Sequence, residues 1–386
     1  MRLQEVNTRE LEDAFIEVNP LLNRSVTGYI RPLDKDIRSV FDEKKNKAFR
    51  TGKAARWILY DEQGEPIGRI AAFTNKKYKN KGDKQPTGGI GFFDCINDQE
   101  AADLLFDVAR HWLINEGMEA MDGPINFGER DRWWGLVTQG FQSPLYGMNY
   151  NPPYYKELFE HYGFRPFYDQ ICFGLDPKKP LSAKTISRHA EVASNPDFKA
   201  TWQKVMDLEK CASDFCEVYN KAWAGHDGLK EMKKEQALQL FRQMKPIIDP
   251  KLIWFTYHQD KPIALFLNIP DLNQWFRYLD GKFGLWQKLK FLWIKKTKPN
   301  PNFTGLVFGI IPEFQGKGID SFMIMEAYKV VSVLSYTTYE IQWIGDFNPR
   351  MINVAENFGD TFRTRKLTTY RYLFDRTRPF ERHPMI

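Results

Sequence analysis

The 386-residue chain is short of the residues that announce common chemistries. Its four cysteines, at 95, 172, 211 and 216, form neither a C-x-x-C pair nor a metal-site spacing, which argues for reduced thiols and against a zinc centre or a disulfide framework. Six scattered histidines make no metal constellation. G-x-S-x-G, H-E-x-x-H and Cys-His pairings are missing, so hydrolase and metalloprotease readings have no motif to stand on. No apolar run approaches the roughly 20 residues that span a bilayer, and the start, MRLQEVNTRE, has no apolar signal core. The expectation is a cytoplasmic protein. Charge is nearly balanced too: 55 Lys and Arg against 49 Asp and Glu leave only +6. Nucleic-acid binders concentrate basic charge in a stripe, so this modest excess by itself argues little for a nucleic-acid partner.

Aromatic residues are what the chain has in abundance: 30 Phe, 17 Tyr and 11 Trp. They supply enough apolar surface for two packed cores, the usual number at this length. An internal echo supports two. WILYDEQGEPIGRIAAF begins at Trp57 and WFTYHQDKPIALFLNI at Trp254; each reads as a strand, a polar turn and a second strand opened by Pro-Ile. NPPYYKELFEHYGF begins at Asn151 and NPRMINVAENFG at Asn348, the same distance apart. Two landmarks at one offset point to duplicated units.

The first unit reads as a strand near 3–6, a helix from the cap Thr8, a helix around 34–49, strands at 55–60, 66–73 and 89–96, a helix over 98–115, a strand near 119–122, a helix over 152–162 and a strand through Phe173. The second repeats that order, with a strand at 198–202, helices at 207–223 and 234–245, a hairpin over 252–269, a strand at 304–311, a helix at 318–334, a strand at 338–344, a helix at 349–357 and a last strand at 367–374. The expected fold class is α/β (α+β), two fused units with a mixed twisted sheet flanked by helices in each. The expected division is 1–176, a proline-bearing linker at 177–197, and 198–386. Each unit carries one insertion, at 124–150 in the first and 271–298 in the second.

The stretch GIIPEFQGKGIDSF, Gly309 to Phe322, places a strand, a loop almost without side chains and a helix N-terminus in succession. Unpaired amides and the helix dipole there point the same way, the arrangement that holds an anion. Gly316 and Gly318 let a phosphate approach, and Lys317 adds charge. It is neither a P-loop nor G-x-G-x-x-G. Gln315, Gly316, Lys317 and Gly318 after an apolar strand resemble the pyrophosphate loop Q/R-x-x-G-x-G/A of the GNAT acyltransferase superfamily, although the last position is Asp320. In the first unit GIGFFDCI runs into NDQEAAD, acidic at the helix start, so the resemblance places acyl-CoA, as substrate, in the second unit.

GPINFGERDRWWGLVTQGF followed by YNPPYYKELFEHYGFRPFYD is similar to a bacterial family of duplicated GNAT-like proteins that includes bacterial ceramide synthases. The resemblance implies an acyl-CoA-dependent N-acyltransferase acting on a primary amine, with an amino-lipid or long-chain base as acceptor and no metal. On it, Ile310, Ile311, Gln315, Gly316, Lys317, Gly318 and Asn348 are expected to bind the donor. Glu313 and Asp346 are candidate general bases. The family's helix tyrosine, four residues before the closing glycine, falls on Phe159 and Ala355, so Tyr154 or Tyr155 would have to protonate the thiolate. A non-catalytic acyl-CoA or lipid binding protein stays open, as does aminoacyl transfer from an RNA-borne donor. GKFGLWQKLKFLWIKKTK, with six lysines and no acid, has Leu285, Trp286, Leu289, Leu292 and Trp293 on one helical arc. That form suits either a helix at the inner membrane face, through 282–298, or one packed on its own domain.

Overall fold

The computed structural model describes residues 1–203, 207–223 and 231–385. The first unit comprises β1 (Arg2–Glu5), α1 (Arg9–Asn23), α2 (Asp34–Val40), β2 (Gly52–Tyr60), β3 (Pro66–Asn75), β4 (Thr87–Cys95), α3 (Gln99–Asn115), β5 (Ala120–Gly123), β6 (Leu136–Gln139), α4 (Tyr155–Tyr162) and β7 (Arg165–Leu175). Then come α5 (Ala183–Ala193), β8 (Phe198–Trp202), α6 (Leu208–Trp223), α7 (Lys234–Met244), β9 (Ile253–His258), β10 (Lys261–Pro270), α8 (Asn273–Phe276), α9 (Leu285–Thr297), β11 (Asn302–Ile310), α10 (Ile319–Val331), β12 (Thr338–Gly345), α11 (Pro349–Asn357) and β13 (Phe362–Leu373). The duplicated element order is present, and α5 lies inside the segment expected as linker.

The strands form one sheet in the order β1-β2-β3-β4-β5-β13-β7-β12-β11-β10-β9-β8, with β6 paired to β13 outside that path. The final strands are exchanged. β13 pairs with β5 of the first unit, from Tyr370 against Gly123 to Leu373 against Ala120. β7 pairs with β12 of the second, from Tyr339 against Leu175 to Gly345 against Gln170. β7 and β13 pair with each other at the centre. A buried ion pair spans β7: Arg365 Nε of β13 lies 2.7 Å from Glu340 Oε1 of β12, and Arg365 also donates to the Ser143 carbonyl at 3.2 Å.

Each half repeats one further device. β4 pairs in parallel with β5 only over Thr87, Gly88 and Gly89, and β11 with β12 only over Asn302 to Gly305. Just beyond, a bulge turns the strand away. In β4, Arg69 faces Asp94 while Ala71 faces Gly91, so Phe92 and Phe93 oppose Ile70 alone. In β11, Leu267 faces Val307 while Asn268 faces Gly305, leaving Leu306 unmatched. An extra residue bends and twists its strand, and each half opens as a V at that point.

One core packs Trp254, Phe266, Phe303, Phe322 and Tyr339 in the second unit, and another packs Trp57, Leu105, Phe106, Phe159 and Tyr370 around the first. The insertion at 271–298 folds as α8 and α9 over Leu33 of the first unit.

Candidate functional site

Pro312–Phe314 make a single 3-10 turn after β11. Gly316 and Gly318 follow with φ of 74° and 78°, a left-handed backbone that glycine adopts without steric cost. A Cβ at Gly316 would meet nothing within 4 Å, so that side of the loop is open. Gly318 is the N-cap of α10, and no side chain caps the helix. Its first-turn amides therefore have no side-chain cap, and α5 lies beside this start, with Val192 and the Arg188 carbonyl facing Gly318. The Gln315 side-chain amide donates to the Ile310 carbonyl at 3.0 Å, and the Lys317 ammonium stands 5.4 Å from the centre of the Phe314 ring.

The matching helix of the first unit is closed. The Asp98 carboxylate accepts from the Ala101 amide at 3.0 Å at the N-terminus of α3, occupying with its own charge the position an anion would take.

The opened edge of β11 adds a second element. Ile311 N donates to the Ile263 carbonyl at 3.0 Å, so this amide, expected to polarise a thioester, is spent inside the sheet. Antiparallel pairing alternates, and with Ile310 opposite Ala264 and Phe308 opposite Phe266 the N–H and C=O groups of Phe308 and Ile310 turn toward the V. Ile310 is thus the member of that pair whose amide faces the opening.

The remaining predicted residues do not converge on one point. Glu313 is exposed in the 3-10 turn, within the loop. Asp346 follows β12; Arg382 Nη2 donates to its carboxylate at 2.7 Å, and burial pushes its carboxyl upward despite that partner. The Asn348 side chain caps α11 by accepting from Met351 N at 3.2 Å, which leaves its oxygen already engaged. Tyr154 and Tyr155 belong to the first unit, where the open end of β4 holds both. Tyr154 donates to the Cys95 carbonyl at 2.7 Å, and Tyr155 accepts from Cys95 N at 2.9 Å. Burial pushes the Tyr154 phenol up to about 12 and that of Tyr155 well above the usual range. Among the described residues, no hydrogen bond joins either tyrosine to the loop at 313–318.

The cleft beside those tyrosines contains a polar cluster that sequence reading missed. Asp94 accepts from Arg69 Nε at 2.7 Å, from Asn19 Nδ2 at 2.8 Å and from Asn23 Nδ2 at 3.1 Å, and Arg69 Nη1 donates to the Phe15 carbonyl at 2.7 Å. Arg69 and Asp94 are buried, and with Tyr29, Trp133, Asn149 and Asn273 they line the cleft. The signal was a lone acid in GIGFFDCI opposite a lone base in PIGRIAAF: charges inside buried strands, which persist only when paired. The insertion ERDRWW lies between this cleft, which Trp133 lines, and a wider groove lined by Glu129, Arg130 and Trp134. Among the described residues no group of three His, Cys, Asp or Glu side chains is placed to hold a metal ion, and no helix is long and apolar enough to cross a membrane.

No protein-family model matches the chain. Over 358 residues it is 24% identical to a bacterial ceramide synthase from Caulobacter vibrioides, a match covering 90% of this chain and 91% of that one. Protein YghO from Escherichia coli is 22% identical over 311 residues, 78% of each. Among solved structures, a tandem GNAT protein from the clavulanic acid biosynthesis pathway superposes with a TM-score of 0.52 at 11% identity, over 98% of this chain and all of its own.

Proposed function

The chain is a tandem GNAT-fold protein with a bacterial ceramide synthase among its sequence relatives, and from that premise we propose that it is an acyl-CoA-dependent N-acyltransferase whose donor site is in the second unit. The observation that carries the reading is the contrast between the two equivalent helix starts. α10 begins at an uncapped glycine after a left-handed loop, whereas α3 begins at its own carboxylate cap. At α3 the carboxylate itself occupies the amides a diphosphate would take, whereas the first-turn acid of α10, Asp320, leaves them uncapped.

In this reading the amides from Gly316 onward and Lys317 hold the diphosphate, and the thioester arm lies along the open edge of β11. The arm of coenzyme A carries amides of its own, which an unpaired strand edge can pair as a further strand would. The amine nitrogen attacks the thioester carbon, the carbon–sulfur bond breaks, and the leaving thiolate takes a proton. The Ile310 N–H is the donor positioned for the oxyanion. Glu313 is the candidate base because its carboxylate stands in the loop itself, while that of Asp346 is held by Arg382. The acceptor is a primary amine on a long-chain or lipid scaffold, by analogy with the Caulobacter relative.

The test is thiol release from long-chain acyl-CoA with and without a long-chain amine, beside calorimetric titration of coenzyme A. Amine-dependent release, lowered about 10²-fold or more by Glu313→Gln, supports the proposal. Binding without release under any amine favours instead a non-catalytic acyl-CoA or lipid binding protein, a reading that the engaged hydroxyls of Tyr154 and Tyr155 favour. Absence of coenzyme A binding at millimolar ligand removes acyl transfer and acyl-CoA binding together.

A further inference from the structure

We propose that α9 docks this protein on the surface of an anionic lipid bilayer. The helix has two apolar faces, and only one of them is used by the fold. Phe291 and Ile294 point inward and pack with Leu33, Trp275, Phe276 and Leu279. Leu285, Trp286, Leu289, Leu292 and Trp293 point the other way and are between 54 and 78 % exposed. At roughly 100° per residue those five fall within an arc of about 120°, opposite the buried pair. Five large apolar side chains exposed on one helix face form a patch of the kind that marks an interaction surface.

The chemistry around the stripe selects the partner. The segment 281–298 contains six lysines and no acid, and among the described residues none of the six pairs with a carboxylate, although such pairs occur at many other lysines. Lys290 and Lys295 lean back onto the Tyr278 and Pro246 carbonyls at 2.7 and 2.6 Å and Lys298 stands 5.7 Å from the centre of the Tyr278 ring, leaving Lys282, Lys288 and Lys296 without such a contact among the described residues. Tryptophan and leucine between unpaired lysines fit an anionic headgroup layer, where indole rings sit at the boundary and ammonium groups meet lipid phosphates. A protein partner would need an acidic groove shaped to this helix; a membrane asks only for an apolar stripe with a basic fringe.

The helix is held firmly enough to act as a platform. Asn273 Nδ2, in α8, donates to the Pro144 carbonyl at 2.8 Å, and the Gly281 carbonyl accepts from Asp34 N at 2.8 Å, so both ends of the α8 segment are tied to the first unit. Asn273 also lines the cleft around Asp94. A lipid surface under α9 therefore lies against the same insertion that walls this cleft. Taken with the acyl-transfer reading, docking would bring a membrane-borne amine to the protein; the docking itself needs neither coenzyme A nor turnover.

Co-sedimentation tests it without any acyl donor. The intact protein is expected to pellet with vesicles of phosphatidylcholine and phosphatidylglycerol, and about tenfold less with phosphatidylcholine alone. Trp286→Ser with Trp293→Ser is expected to release it from anionic vesicles with an unchanged thermal melting midpoint, because both side chains are exposed. Lys288→Glu with Lys296→Glu is expected to remove the preference for anionic lipid. Failure to bind either vesicle, or undiminished binding by the tryptophan variant, overturns the proposal. So does a lipid-free dimer, seen by light scattering, that the tryptophan variant dissociates, since the stripe would then be covered by a second copy. Vesicle binding with no thiol release separates this inference from the acyl-transfer reading.

Discussion

The Gln315 side-chain amide reaches back across the 3-10 turn to donate to the Ile310 carbonyl at 3.0 Å. Gln315, expected from the motif to bind the donor, ties the loop to the strand edge and takes up one acceptor on the open side of β11. Gln315→Ala removes a single bond with a net worth of about 1 kcal/mol. Coenzyme A affinity measured by calorimetry is expected to fall about fivefold. An unchanged affinity would mean that the loop keeps its shape without this bond.

Asp271 is buried and forms no salt bridge among the described residues, and burial lifts its carboxyl to about 6. Among the described residues its carboxyl oxygens accept from the Asn273 amide and the Gln274 side chain. The folded state therefore holds this proton more tightly than the unfolded chain between about pH 4 and pH 6. Stability from this group is fully present below that window and declines as pH rises through it, by at most about 3 kcal/mol. Asp271→Asn cannot ionise. The difference in unfolding free energy, variant minus wild type, is expected to rise across pH 4 to 7 and then level off.

Arg365 of β13 and Glu340 of β12 are buried and meet across β7, which lies between their strands. Arg365→Met leaves the Glu340 carboxylate without its counter-charge, a loss of about 3–5 kcal/mol. Urea unfolding is the measurement. Thr364 also donates to Glu340 at 2.8 Å, which cannot replace a full charge.

Tyr155→Phe separates a structural tyrosine from a catalytic one. It leaves the buried Cys95 amide without an acceptor, at a cost of about 1–3 kcal/mol. If turnover follows the second-unit site, the variant melts earlier while the rate of amine-dependent thiol release per folded molecule stays within about twofold of wild type. A loss of 10²-fold or more at full occupancy would move the chemistry to the first unit.

Most of the repeated element order was readable because it is local. Trp57 and Trp254 open equivalent strands, and the capping residue Asp98 and the glycine ahead of Ile319 each mark a helix start. Local likeness also misled: Asn151 and Asn348 occupy matching places in the two echoes, yet Asn348 caps α11 while Asn151 bonds both the amide and the carbonyl of Val137. The second helix of the first unit is shorter than its pattern, ending at Val40, and β6 carried no strand signal because its four residues are held by β13, far away in the chain.

The sequence alone determined what nearest neighbours along the chain can enforce: hairpins, amphipathic helices, a glycine loop ahead of α10, and an apolar arc on α9. Tertiary structure decided which last strand closes which half, whether Asp94 meets Arg69, which face of α9 turns inward, and that Ile310 rather than Ile311 faces the open V. Backbone hydrogen bonds carry no residue identity, so β7 and β13 could each have paired within their own unit. The choice was made by side chains distant in sequence, Arg371 meeting Asp122 and Tyr370 packing with Phe159, and such contacts exist only once the whole chain has collapsed around them.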